Sequence, residues 1–494
     1  MYNRLVIYFH YDPRGQADTA CRFAVRAIKE QARAFLFVHN GTLHAESREW
    51  LTQNAVPFLE RENTGLDVGA YRDALIHVGR KKLDTYDEVI LMNYTLAGPV
   101  RPLAFLFEKM DARSELDFWG LSRHYAMNSR RFGKNGQVPE HIQSHFIAVR
   151  RRMYDDFWQY WQAMRLPDSY EESIRYHETR FTQHFESLGY RWDTYLSGEK
   201  WRDVFVNPIM GCPRELIEEE GCPFFKRRSF FTPYADELRR TDGCAAVQLY
   251  TYLKGRTDFP VDDLIRSLLP VQPLAYMAQN LHWHYRIPSQ AAAKAPVVLS
   301  LDSRELEKPL RADTVYCIRI PARKGAAVQR WYDSRMCWDE RVMPLAAALF
   351  EQYAGLGVLG TALSLLPESM QAKWKYWNID LPHVKQAMER LGLTVPLAKE
   401  VPLPVPNGGC LLVRGAAFPQ GLPPLHCAAD FWLLPLVAQQ NGFYSADAET
   451  EEQLLARADV YQASTWPLQT VAGAGKLLAR RFKHSLLARK ETDK

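Results

Sequence analysis

VPFLERENTGLDVGAYRDALIHVGRKK (residues 56–82) holds the unit from which the first third of the chain is built. VPFLERE (56–62) has the β-branched and aromatic content of a strand, the following turn carries Gly65 and Gly69, and AYRDALIHVGRKK (70–82) has helical apolar spacing. Upstream, RLVIYFHY (4–11) and ARAFLFVHNG (32–41) read as two further strands, the second stopped by Asn-Gly. Helices are expected over residues 19–31 and about 46–54. Downstream, YDEVILMNYT (86–95) reads as a fourth strand. This alternation predicts an α/β fold with a mostly parallel sheet flanked by helices, whose ligands sit at the carboxyl ends of the strands. The loops that follow the strands are therefore where chemistry is sought.

The composition suits such a fold. Of 494 residues, 47% are apolar and 24% charged, enough to build large cores and too apolar for a disordered, collagen-like or coiled-coil chain. Lys and Arg number 62 against 57 Asp and Glu, a net charge of +5, which over this length calls for no nucleic-acid partner. The eight cysteines are scattered without a C-x-x-C pair, so reduced thiols are expected rather than disulfides or a structural zinc. The opening MYNRLVIYFHYDP has a four-residue apolar run where a secretory signal needs about 7–15, so no export is expected. The longest uncharged apolar stretch, Gln352 to Pro367, falls short of the ~20 residues that cross a bilayer.

Local chemistry leaves the turn after residue 62 open. Its two glycines stand four apart, not as G-x-G-x-x-G, and the first strand is followed by His10-Tyr11-Asp12-Pro13-Arg14-Gly15, so a dinucleotide fold is disfavoured. Asn63 to Gly69 reads either as a tight turn with a helix cap or as a ligand loop. His141 and His145 have i,i+4 spacing but lack the Glu of a zinc protease, and the strand-like FIAVRR after them separates the rings. His282 and His284 read as neighbours on one face of a strand, and no metal is assigned to either pair.

Residues 240–290 read as helical and SQAAAKAP (289–296) as a linker of small residues. A second α/β module follows over 297–466, with strand-like TVYCIRIP (314–321) and GGCLLVRG (408–415), helical stretches at 339–354 and 381–392, and Ala429-Asp430-Phe431-Trp432 opening a further helix. The domain plan is thus 1–290, 297–466 and a terminal segment, 470–494. In that segment KLLARRFKHSLLARK (476–490) sets Leu478, Phe482 and Leu486 on one face among Lys476, Arg480, Arg481, Lys483, Arg489 and Lys490. Such a basic amphipathic helix suits an anionic membrane surface, or packing on the second module.

ENTGLDVGAYRDAL (62–75), YDEVILMNYTLAGPV (86–100), DFWGLS (117–122), HIQSHFIAVRR (141–151) and CPFFKRRSFF (222–231), in this order, resemble the rhamnan synthesis F family. These are bacterial glycosyltransferase-like proteins of cell-surface polysaccharide assembly with a GT-A-type fold and often a second, diverged glycosyltransferase-like half, which 297–466 resembles in outline, with Asn407-Gly408-Gly409-Cys410 before a strand. The resemblance implies a nucleotide-sugar donor, dTDP-rhamnose being one example, and a polyprenyl-diphosphate-linked saccharide acceptor of O-antigen, capsule or rhamnan assembly. With the reduced thiols and the basic segment 476–490, the expected location is cytoplasmic, peripheral on the inner face of the cytoplasmic membrane. Asn63, Gly65, Asp67 and Gly69 would line the donor pocket, with Asn93 and Tyr94 at the diphosphate. Gln143, His145, Lys226, Arg227 and Arg228 would meet acceptor or diphosphate.

The sequence departs from the family at one place. GT-A enzymes put an Asp-x-Asp motif, and this family Asn-Asp, where the chain reads Met92-Asn93-Tyr94-Thr95, so no carboxylate is offered to Mg²⁺ or Mn²⁺ and no metal ligand is assigned. Charge balance then falls to Arg and Lys, or the chain binds sugars without transferring them. Tyr176-His177-Glu178-Thr179-Arg180-Phe181 is similar to the acidic motif of inverting GT-A enzymes, which makes Glu178 the candidate general base. The alternative is a surface Glu paired with Arg175.

Overall fold

The computed structural model describes residues 2–132, 134–238, 241–290, 298–300, 309–322, 325–327, 330, 334, 337–361, 367–399, 401–404 and 409–455. Two compact units divide the chain, Met1–Ser267 and Leu268–Lys494.

The sheet of the first unit contains β1 (Arg4–His10), β2 (Ala34–Asn40), β3 (Phe58–Arg61), β4 (Glu88–Asn93), β5 (Phe118–Gly120), β6 (Phe146–Arg150) and β7 (Trp192–Thr194). Their order is β7-β5-β6-β4-β1-β2-β3, and β6 alone runs antiparallel to its neighbours. This is the mostly parallel, helix-flanked sheet expected. β1 and β4 are buried along their whole length, because a parallel strand is covered on both faces, and this is why they appear in the sequence as continuous apolar runs.

Helices α1 (Thr19–Lys29), α2 (Ala45–Gln53), α3 (Leu66–Val78), α4 (Leu103–Asp111), α5 (Tyr154–Ala163), α6 (Tyr170–Ser173) and α7 (Thr179–Ser187) surround the sheet. Asp18 caps α1 by accepting from the Cys21 amide at 2.7 Å. One core joins Leu5 and Ile7 of β1 and Leu91 of β4 to Tyr71 and Ala74 of α3, Phe157 of α5 and Phe181 and Phe185 of α7. α3 begins at Leu66, four residues before the apolar spacing suggests. Gly65 adopts φ 69°, a left-handed turn that glycine makes without strain, and this draws Asp67 into the first turn of the helix.

At the amino ends of β4 and β5 lies a buried ionic cluster. Glu88 accepts from Arg4 Nε at 2.8 Å and from Trp119 Nε1 at 2.7 Å, and Arg150 Nε is 3.5 Å away. Asp117 accepts from the Arg191 amide at 2.8 Å and pairs with Arg152. This cluster is at the opposite end of the sheet from the loops that follow the strands.

The second unit has a six-stranded sheet of β8 (His284–Arg286), β9 (Val298–Ser300), β10 (Val315–Ile320), β11 (Leu356–Thr361), β12 (Gly409–Arg414) and β13 (Tyr444–Glu449), in the order β8-β13-β11-β12-β10-β9. Again one strand, β12, runs antiparallel to its neighbours, though the connectivity differs from that of the first sheet. β8 pairs with β13, so residues 268–290, read from the sequence as the end of the first domain, belong to the second unit. His284 alone of the His282/His284 pair is in the strand, since His282 has φ 50°. Helices α8 (Pro367–Leu391) and α9 (Leu433–Gln440) belong to this unit. Among the described residues no helix is long and apolar enough to cross a membrane. The basic segment 476–490 and Asn407 and Gly408 lie outside the described residues.

Candidate functional site

Five segments meet at the carboxyl end of β4. They are Asn93 at the end of that strand, Ser144 and His145 leading into β6, the first turn of α3, the turn between α6 and α7, and a short antiparallel ribbon that pairs Leu96–Ala97 with Phe225–Lys226. The α6–α7 connection, Ile174–Glu178, is π-helical. Such turns insert one residue into the helical ladder and recur where a side chain has to be aimed at a site.

Glu178 closes that turn. Its Oε2 accepts from Ser144 Oγ at 2.5 Å and from the Ser144 amide at 3.3 Å. His141 Nδ1 donates to the Pro139 carbonyl at 2.7 Å, leaving Nε2 buried, without a hydrogen-bond partner and 3.8 Å from Glu178 Oε1. The His141 ring stacks on His124, with centroids 5.2 Å apart. Burial works against the Glu178 charge, but His141, Ser144 and Lys226 outweigh it and hold the carboxyl well below the usual range.

Asp67 has the opposite environment. Oδ1 accepts from Ser173 Oγ at 3.2 Å and the Val68 amide at 3.1 Å, and Oδ2 is 3.4 Å from Asn93 Nδ2. Burial, then the Glu178 charge, raises its pKa. Asp67 and Glu178 share, with Ser144 and Ser173, the lining of a cavity of about 20 Å³, room for one water molecule. From Asn93 the polar chain continues through Thr95, whose hydroxyl bonds Asn93 Oδ1, to Lys226 Nζ, 3.3 Å from Thr95 Oγ1. Burial pushes the Lys226 ammonium down to about 8, against the pull of Glu178 and Asp67. Ser122 Oγ donates to Gln143 Oε1 at 2.8 Å and so accepts from His145 Nε2 at 3.2 Å, which assigns the proton to Nε2 and leaves Nδ1 buried and unpartnered. Burial, then Lys226, lowers the His145 pKa and keeps the ring neutral.

Of the residues singled out in the sequence, Asp67, Asn93, His145, Glu178 and Lys226 come together here. Gln143 is at the floor, committed to Ser122. Gly65 and Gly69 have steric tasks: a Cβ on Gly69 would meet the Thr64 carbonyl oxygen at 2.3 Å. Asn63 is exposed and accepts from Asn40 at 3.0 Å. The Tyr94 ring is turned onto the edges of Phe9 and His10. Arg227 is drawn away from the site, buried in an ion pair with Asp18, while Arg228 is exposed. Arg123 pairs with Glu140 and Asp193, and Arg131 with Glu171. Sequence reading missed Thr95, Ser144 and Ser173 as polar partners. It weighed His141 only as a metal ligand, since nothing local ties these residues to Asp67 or Glu178.

The Mg²⁺ or Mn²⁺ of GT-A enzymes does not fit the turn after β4. Asn93 is bonded by Thr95 and neighbours Asp67, the Tyr94 ring packs inward, and neither offers a carboxylate. Asp117 is at the far end of the sheet.

A larger groove of about 700 Å³ lies across the wall formed by Tyr160, Met164 and His177, which line both spaces. Asp156, Gln159, Arg165, Tyr176 and His184 also line it.

Among known proteins, an uncharacterised protein of Sinorhizobium fredii, y4gN, is 23% identical over 236 residues, 47% of this chain and 59% of the relative, so the chain spans about three fifths of that relative's length. Solved structures with local likeness include a mannosyltransferase of Pyrobaculum calidifontis, in complex with GDP-mannose and Mn²⁺ (14% identity, TM-score 0.26, 39% of this chain and 54% of that one). Another is glucosyl-3-phosphoglycerate synthase of Mycobacterium tuberculosis (11%, TM-score 0.22, 31% and 58%). A third is the 4-diphosphocytidyl-2C-methyl-D-erythritol synthase of Anaerococcus prevotii (5%, TM-score 0.27, 39% and 87%). Likeness this loose leaves the fold to be read from the strand order itself. The model of rhamnan synthesis protein F matches residues 35–300, more than half of the chain, and the chain belongs to that family.

Proposed function

We propose that the first unit is a glycosyltransferase domain that moves a sugar from a nucleotide-sugar donor to a saccharide acceptor. The observation that supports this is the pair Asp67 and Glu178, two carboxyls whose pKa values are pushed in opposite directions, sharing a one-water cavity beside Lys226 at the carboxyl ends of the strands. In an inverting transfer the acceptor hydroxyl attacks the anomeric carbon from the face opposite the diphosphate. The new C–O bond forms as the old one breaks, the nucleoside diphosphate leaves with the electron pair, and a base takes the hydroxyl proton. Glu178, ionised and held by Ser144, is that base. Asp67 and Asn93 hold the donor, and Lys226, with Arg228 outside it, balances the diphosphate charge. Family membership adds the finer reading: a deoxysugar donor such as dTDP-rhamnose, a polyprenyl-diphosphate-linked acceptor, and work on the inner face of the cytoplasmic membrane in O-antigen, capsule or rhamnan assembly.

Glu178→Gln keeps an oxygen for Ser144 but not the basicity, so turnover should fall about 10²–10⁴-fold with donor affinity near wild type. Asp67→Asn should instead lose donor affinity at an unchanged melting temperature. A second reading follows from the raised Asp67 pKa, which makes Asp67 the stronger base. It predicts that Asp67→Asn, not Glu178→Gln, loses turnover at constant donor affinity. Wild-type protein that binds a sugar nucleotide but transfers to no saccharide would establish instead a saccharide-binding subunit of the same assembly.

A further inference from the structure

We propose that the second unit holds a site for one zinc-class divalent cation, formed by His383, Cys427 and Asp430. The ligand atoms of the three residues all lie within 4.8 Å of one another, although α8 supplies His383 and the turn before α9 supplies the other two. His383 Nε2 is 2.6 Å from Asp430 Oδ1 and 4.0 Å from Cys427 Sγ. The second carboxylate oxygen, Oδ2, accepts from the backbone amides of His426 and Cys427, both at 2.8 Å, which fixes the carboxylate and aims Oδ1 at the imidazole. Asp430 is buried, Cys427 exposed and His383 half-exposed, so a fixed base carries two ligands that an ion reaches from solvent.

The donor set selects the cation. One thiolate, one imidazole and one carboxylate suit zinc, whereas Mg²⁺ and Ca²⁺ take oxygen alone. Around tetrahedral zinc such donors stand about 3.3–3.6 Å apart, so the imidazole and carboxylate separate by about 0.7 Å or more and the thiol approaches the imidazole by about half an ångström. Coordination moves the imidazole proton from Nε2 to Nδ1 and releases the Cys427 thiol proton to solvent. Three protein ligands leave the fourth position to water, the arrangement of zinc sites that exchange ligands. The site lies in the second unit and does not rest on the glycosyltransferase reading.

Co²⁺ titration of the chelator-stripped full-length protein tests this. The expected result is one Co²⁺ per chain, with a near-ultraviolet thiolate-to-cobalt charge-transfer band and visible bands of tetrahedral intensity, all displaced by Zn²⁺. Cys427→Ser should abolish the charge-transfer band, and His383→Gln should weaken binding at least tenfold. Both replace side chains that are not buried, and their melting temperatures without metal report that they fold. Cys410, whose thiol interacts with those of Cys317 and Cys337, is the competing source of a thiolate band, and Cys410→Ser should keep it. A wild type without the band, or a band that survives Cys427→Ser and vanishes in Cys410→Ser, would overturn the proposal.

Discussion

Lys226 and Arg227 are adjacent in the sequence, yet the fold gives them opposite tasks. Arg227 is buried against Asp18, which also accepts from Ser267 Oγ at 2.9 Å, so the guanidinium serves the architecture around α1. Arg227→Ala strands a buried carboxylate and should cost about 3–5 kcal/mol, read as a lower denaturation midpoint, with donor affinity of the folded protein near wild type. Lys226 faces Glu178 and Asp67 and should act on the donor. Because burial brings its pKa down to about 8, the ammonium is charged below that pH and neutral above it. Affinity for an anionic nucleotide sugar should therefore fall as pH rises through about 8. Lys226→Arg, which keeps its charge, should flatten the profile, and calorimetry on either side of that pH checks it. No sequence rule separates the two cations, since the choice depends on an ion pair between residues 209 positions apart.

The two turns that shape the site differ in how far the sequence announces them. The Gly65–Gly69 turn is legible, because glycines at this spacing mark a chain that must bend and approach closely. The Gly69 amide bonds the Gly65 carbonyl at 2.7 Å, and any Cβ there strikes Thr64. Gly69→Ala should cost about 1–3 kcal/mol of stability by displacing the loop, and a denaturant titration measures it. The π-helical turn at Ile174–Glu178 is not legible, because its sequence carries ordinary helical spacing and the inserted residue is decided by where α6 and α7 pack. The turn after β4 is legible in what it lacks. With Asn93 and Tyr94 in place of carboxylates, donor binding should change little on adding EDTA, as calorimetry will show. Tyr94→Asp should increase any response to Mn²⁺ while lowering stability, since it removes the ring from Phe9 and His10.

For the molecule as a whole, the basic terminal segment makes a membrane-level prediction. Each Lys or Arg near anionic lipid contributes about 1 kcal/mol, so full-length protein should co-sediment with anionic liposomes and residues 1–470 alone should not. Equal binding by both would place the attachment elsewhere. By itself the sequence determined the α/β class and the order of strands and helices from β1 to β4. Buried parallel strands are apolar on both faces and helices on a sheet are apolar on one, and both patterns are local. Motifs contiguous in the chain also mark Asp67 and Glu178 as candidate site residues. The tertiary structure alone decided which polar groups meet. Ser144 reaches Glu178 across 34 residues, Ser173 reaches Asp67 across 106, and His383 reaches Asp430 across 47. Such pairings follow from strand register and helix packing, which bring distant residues within hydrogen-bonding reach and leave no periodic trace in the chain.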